Sequence, residues 1–254
     1  MKHRFILHTA AALIFSMLIF PGCMKLREHL ESHPDDVGKF CKIKTFIYSL
    51  AHGTDTVVFH YNALGDPISG TWPQRAPHTN YYFRYDNHNR LQDFMAIYPT
   101  GGTGVFWERF FYANEGSKNP FCDSIYVYPT DVTKFPPVTP YPIQWDNFEY
   151  DAFNRVSRVI FNSSESESFN YDPQGDLILT GIQFDGPDNK VNFNRTSRVF
   201  QFLNWDYAVN NTFIADKYNS YGLPTEISIP FYGEGSEGFL GIPYVSAKVE
   251  YECK

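Results

Sequence analysis

Carboxylates, indole rings and thiols are the groups in this chain whose types and spacing invite a chemical reading. Glycoside hydrolysis needs two carboxyls flanking the scissile bond. Glu108, Glu149, Glu165, Glu167 and Glu226 are the acids that could supply them. Nothing in their spacing singles out a pair, and Glu165 and Glu167 sit in Ser163-Ser164-Glu165-Ser166-Glu167-Ser168, which reads as a polar hairpin loop. Trp72, Trp107 and Trp145 each lie in or just beyond a Pro- or Gly-rich stretch. Indoles on such loops stack on sugar rings or anchor a protein partner, so these three are the candidate ligand-binding residues. All 8 His fall at or before residue 88. His29 and His33 are four apart but lack the HExxH order, so they read as part of a solvated linker and no metal site is assigned. Gly-x-Ser-x-Gly, P-loop and dinucleotide fingerprints are missing from the sequence, so no catalytic residue and no cofactor are assigned.

The 4 Cys are Cys23, Cys41, Cys122 and Cys253. With Cys23 set aside, an odd number remains and at least one thiol stays unpaired within the chain. A bridge between Cys41 and Cys253 would tie the first strand of the domain to the last, in a compartment oxidising enough for disulfides. Spacing alone leaves the pairing open.

The export reading comes from the N-terminus. Met1 to Arg4 is positive and Phe5 to Phe20 is mostly apolar. That run falls short of the roughly 20 residues of a membrane span and suits a secretory h-region. Phe20-Pro21-Gly22-Cys23 resembles a bacterial lipobox, although Phe20 and Pro21 depart from the usual Leu and small residue. The expected organisation is a signal peptide over 1–22, a lipidated Cys23 with a flexible polar tether over 23–39, and one domain over 40–254.

That domain carries a repeated turn. Phe59-His60-Tyr61-Asn62, Phe83-Arg84-Tyr85-Asp86, Phe148-Glu149-Tyr150-Asp151 and Phe169-Asn170-Tyr171-Asp172 share one pattern, and Gly65, Asn89, Asn154 and Gly175 follow each Tyr by four residues. Tyr218-Asn219 with Gly222 keeps the offset, and Phe110-Phe111-Tyr112 with Gly116 keeps it with Ala113 in place of the acid. Phe and Tyr two apart point to one face of a strand. Asp or Asn opens a type I turn, and Gly or Asn in its fourth place tolerates positive φ. The unit therefore reads strand, turn, strand, with Phe59, Tyr61, Phe83, Tyr85, Phe148, Tyr150, Phe169 and Tyr171 facing the core. No segment shows a convincing helical period, Asn204 to Ala215 being the least clear. The expected fold is all-β: an antiparallel meander, curled or closed into a partial barrel. Charges on the alternating faces, such as Arg84 and Glu149, oppose a membrane-spanning barrel.

Tyr85-Asp86-Asn87-His88-Asn89-Arg90-Leu91 and Tyr150-Asp151-Ala152-Phe153-Asn154-Arg155-Val156 resemble YD repeats of Rhs-type secreted bacterial proteins. With the lipobox, the chain resembles bacterial lipoproteins with a YD-repeat-containing, porin-like-fold domain. The resemblance spans about Phe59 to Pro224 and implies architecture, not activity.

Composition narrows the function. The chain of 254 residues is 18% aromatic and carries a formal charge of −7, which argues against nucleic-acid binding. The expectation is a noncatalytic lipoprotein of the cell envelope at the outer membrane, touching the membrane through its lipid alone and binding a glycan or an envelope protein. The alternatives are a structural or assembly lipoprotein without soluble ligand, and a glycan-active hydrolase.

Overall fold

The computed structural model describes residues 29, 33–50, 53–73, 79–98, 104–129, 131, 133, 142–162, 165–178, 187–228 and 238–254. Cys23 and residues 1–22, read above as a signal peptide, lie outside these residues. The described chain is built on one antiparallel sheet of thirteen strands. They are β1 (Cys41–Leu50), β2 (Gly53–Tyr61), β3 (Pro67–Thr71), β4 (Asn80–Tyr85), β5 (Leu91–Ile97), β6 (Gly104–Phe111), β7 (Cys122–Val127), β8 (Asp146–Tyr150), β9 (Val156–Phe161), β10 (Ser166–Ser168), β11 (Lys217–Tyr218), β12 (Pro224–Ser228) and β13 (Ser246–Cys253). The spatial order is β10-β9-β8-β7-β6-β5-β4-β3-β2-β1-β13-β12-β11. The meander thus runs from β1 to β10, and the last three strands return to extend the sheet beyond β1. The sheet stays open, with β10 and β11 at its edges, so it is a curled sheet and not a barrel.

The repeated turn is what the spacing requires. In five units the Asp or Asn side chain and backbone close the loop. Asn62 Oδ1 accepts from Leu64 N and Asp66 N at 2.9 and 3.0 Å, Asp86 Oδ1 from His88 N and Arg90 N, Asp151 Oδ1 from Phe153 N and Arg155 N, and Asn219 Oδ1 from Tyr221 N and Leu223 N. Asp172 Oδ1 accepts from Asp176 N at 2.8 Å. The residue four beyond each Tyr has φ of +95° (Gly65), +58° (Asn89), +61° (Asn154), +91° (Gly175) and +80° (Gly222). At Gly175 a Cβ would also stand 2.9 Å from Val209 Cγ2, so space and backbone both demand glycine. The sixth unit differs. Asn114, not Ala113, opens its turn, and Asn114 Oδ1 accepts from Gly116 N at 2.9 Å.

Four of the repeat tyrosines also hold the neighbouring strand, whereas Tyr218 donates to Asp188. In each of the four the hydroxyl donates to a carbonyl at the start of the preceding strand: Tyr61 to Ile43, Tyr85 to Pro67, Tyr112 to Leu91 and Tyr150 to Pro120, at 2.6 to 2.8 Å. Tyr251 on β13 does the same to Pro224 at 2.8 Å, a unit that the sequence pattern did not reveal. Turns and latches therefore lie at one end of the sheet. The disulfide Cys41–Cys253 lies there too, where β1 begins beside the end of β13, with 4.1 Å between Cα atoms. Cys122 is a free thiol.

Two features depart from the sequence reading. Of the flexible tether expected over 23–39, residues 23–28 and 30–32 lie outside the described residues; at its end Pro34–Asp36 form a 3-10 turn and Val37–Phe40 a short helix, α1. Val37 is fully buried, and a Cβ on Gly38 would lie 2.9 Å from the Thr196 carbonyl oxygen, so packing starts before residue 40. The second is α2 (Arg198–Leu203), preceded by a 3-10 turn at Phe193–Thr196. Ser197 caps α2, its side chain accepting from Val199 N. Phe200 of α2 meets Phe59 and Phe83 at ring distances of 5.3 and 6.5 Å, and Phe202 meets Phe110 and Phe148 at 5.1 and 5.3 Å. Those rings come from β2, β4, β6 and β8. Laid flat, β2 and β8 would be about 29 Å apart. One helical turn touches both, so the sheet wraps around α2.

Candidate functional site

The three tryptophans do not converge. Trp107 was expected just beyond a Gly-rich loop as a ligand contact, but it lies within β6, fully buried on the outer face of the sheet among Met95, Ile97 and Tyr126. Its indole N–H donates to Asp93 Oδ1 at 2.7 Å, and Arg109 clamps both oxygens of that carboxylate. No ring face is left for a ligand. Trp72 follows β3, packs edge-on against Tyr81 at 4.9 Å and donates to the Tyr48 hydroxyl at 3.0 Å. Trp145 stands half exposed just before β8.

The candidate acids are also dispersed. Glu149 lies 4.0 Å from Arg158, Glu226 pairs with Lys217 at 2.8 Å, and Glu165 and Glu167 are exposed beside the β10 edge. Glu108 alone meets other carboxyls. It stands opposite Phe94 and Ile125 on the inner face, with Asp123 diagonal to it and Asp146 next along. Asp123 Oδ1 accepts from Asp146 N at 3.0 Å, and Gln144 donates to both Asp146 oxygens. The β7–β8 ladder has only the pair Cys122↔Asn147 and the bridge Ile125↔Gln144, so this side-chain bond completes a thin seam. Burial, then the charges of Asp123 and Asp146, pushes the Glu108 carboxyl well above the usual range, and burial pushes Asp123 up to about 7. Glu108 therefore keeps its proton and shares it with Asp123. The acids touch one another and do not flank a cleft.

The sign of the resulting pH dependence follows from linkage. Raised carboxyls favour the fold while protonated, and that contribution is lost as pH climbs from about 4 through 7 for Asp123. Hydrogen bonds from Arg90 and Arg155 outweigh burial and hold Asp86 and Asp151 below the usual range, so their contribution is lost in acid. The melting temperature should be highest near pH 5 and lower by several degrees at pH 8. Glu108→Gln, which carries a permanent donor, should flatten the fall. An equally steep fall in that variant would remove the pair as its cause.

A groove of about 1050 Å³ runs along the row of turns, between the turn end of the sheet and α2. Its floor includes Leu91, Tyr112, Val199 and Phe202. Arg90 lies over the Tyr112 ring at 4.0 Å and Arg155 over Tyr171 at 3.9 Å, so each repeat's guanidinium stacks on the next repeat's tyrosine. Both arginines are tied to their own turn acids, Asp86 and Asp151, at 2.7 Å. Of the turn residues named from sequence, Asn89, Asn154, Asp172 and Gly175 line the groove. Phe153, the third residue of its turn, stands 77% exposed on the lining, with Arg155 5.1 Å from its ring centroid.

No protein-family model matches the chain, and no curated protein does. The turn-row groove, built from the chain's own repeat, is thus the feature on which a functional reading rests. Sequence reasoning missed Phe153 and the α2 side chains facing the groove. The available signal was the third turn position, which varies as Leu64, His88, Phe153, Gln174 and Tyr221 while the first and fourth positions keep to Asp or Asn and to Gly or Asn.

Proposed function

We propose that this protein is a noncatalytic, lipid-anchored module of the cell envelope, held at the outer membrane through Cys23, that binds an extended ligand in the turn-row groove. The observation that carries the reading is the groove itself, whose lining mixes side-chain amides and guanidinium groups with the open ring of Phe153. Binding pockets combine apolar surface with a few placed polar groups in this way. The mutual contact of Glu108, Asp123 and Asp146 supports binding over hydrolysis. A structural or assembly role is the second reading, favoured by the dispersal of Trp72, Trp107 and Trp145.

The test is a melting-temperature screen of the full chain in detergent against envelope and environmental polysaccharides, with product analysis of every hit. A ligand at a hundred times its dissociation constant adds about 2.7 kcal/mol. For a chain of this size that is a shift of roughly 5 to 10 °C. A shift with intact ligand supports the module, a shift with cleaved ligand makes it an enzyme, and no shift on any polysaccharide favours the structural role.

A further inference from the structure

The repeat gives five turns the same skeleton and leaves the side chains of the second and third positions free to differ. The first residue closes the loop with its side chain and the fourth supplies positive φ. The third gives only its backbone N–H to the first, as Leu64, His88, Phe153 and Tyr221 do. Its side chain has no turn duty. His88, Phe153 and Gln174 of three such turns all line the groove. Turns at one end of an antiparallel sheet recur every second strand, about 10 Å apart. The groove thus presents differing side chains along its length, with Phe153 and Gln174 in successive turns and His88 one turn further off, because Gly116 fills the third place of the turn between. Such a row suits an extended polymer.

The chemistry of the row points to sugar. Phe153 offers an open ring, while Asn89, Asn154, Asn119 and Gln174 offer amides that both donate and accept, as hydroxyls require. From the α2 side comes Gln201. The residue is only 7% exposed, lines the groove, and its carboxamide has no hydrogen-bond partner among the described residues. The amide atoms are not among the fully buried unpartnered ones, so the carboxamide opens into the groove with both its donor and acceptor free for a ligand's hydroxyl. Charge argues against an acidic polymer. Arg90, Arg155 and Arg195 are already paired with Asp86, Asp151 and Asp35. The other lining charges, Lys118 and Arg198 against Asp66, Glu115 and Asp172, leave no positive excess.

We infer that the groove takes a neutral, unbranched oligosaccharide, with a sugar stacked on Phe153 and a hydroxyl bound by Gln201. This rests on the binding-module reading above and names its ligand class.

The experiment is calorimetric titration of the full chain in detergent with cellohexaose, xylohexaose, maltohexaose and, as the acidic counterpart, hexagalacturonate. At least one neutral hexasaccharide should bind. Phe153→Ala should weaken it about tenfold, equivalent to roughly 1.4 kcal/mol, and Phe153→Tyr should restore it. Gln201→Leu should weaken it by about tenfold or more, since a sugar hydroxyl is then left unpaired. Phe153 is exposed, so its variants fold whatever happens at Gln201. Binding of hexagalacturonate alone overturns the neutral assignment and leaves the module reading standing. Neutral binding that Phe153→Ala and Gln201→Leu both leave unchanged puts the ligand elsewhere and overturns the proposal. Failure of all four sugars overturns it too, and the polysaccharide screen then decides separately whether the module reading survives.

Discussion

Reduction of the Cys41–Cys253 disulfide is expected to cost the fold as much as about 5 kcal/mol, lowering the melting temperature by roughly 10 to 20 °C. The magnitude comes from the loop that the bond closes. The two cysteines are 212 residues apart in sequence, so in the unfolded chain the bond joins nearly the two ends of the domain. The cost of closing a loop rises with its length, and removing the bond returns that entropy to the unfolded state. In the native sheet the bond adds little reach, because β1 and β13 already pair from Cys41↔Cys253 to Ser49↔Ser246. The variant Cys41→Ala/Cys253→Ala should therefore keep the native circular dichroism spectrum at low temperature and melt early. Cys122, the free thiol, offers a control, since its alkylation leaves this loop untouched. A loss below about 1 kcal/mol would mean that the unfolded chain already keeps its ends together, contrary to the entropic account.

How much of this was legible in the sequence depends on range. The turns were legible because every constraint in them acts within five residues: the Asp or Asn acceptor, the positive φ and the strand resuming beyond. The all-β class followed, and so did the facial set of Phe and Tyr. Asn114 escaped because the sixth turn is shifted by one residue from the Tyr offset. Tyr251 escaped because no turn follows it, although its hydroxyl latches to Pro224 like the others. Register was not legible. Glu108 meets Asp123 and Asp146 only because β6, β7 and β8 align as they do, and nothing in the spacing of the three acids announces it. Trp107 looked like a loop residue because of the glycines before it, yet the register puts it opposite Met95 and Tyr126, deep in the outer face. The groove combines both cases. Its turn-side residues repeat in the sequence, whereas Gln201 comes from a helix too short to show a period.

That helix is the subject of the other large effect. Phe200→Ala is expected to destabilise the fold by about 3 to 5 kcal/mol, the range for deleting a fully buried ring. Phe200 has no exposed surface and packs against Phe59, Phe83 and Phe239 at ring distances of 5.3, 6.5 and 5.2 Å. Its partners belong to β2, β4 and the segment beside β13, so the surrounding structure can collapse into the cavity only by tightening the curl of the sheet. Tightening is opposed by the tyrosine latches, which fix the strand spacing at the turn end, and this places the expected cost toward the upper part of the range. Phe202→Ala is the comparison: Phe202 is 9% exposed and lines the groove, so solvent can enter its cavity and the loss should be smaller. Denaturant midpoints of the two variants measure the difference. If Phe200→Ala costs less than about 1 kcal/mol, the latches and turns hold the curl unaided and α2 is a passenger. If it costs the expected amount, the same six residues that set the curl also set the width of the groove, through Val199, Gln201 and Phe202 on its lining. Fold and site would then share one determinant, and a ligand filling the groove should raise the melting temperature of Phe200→Ala as well as that of the parent chain.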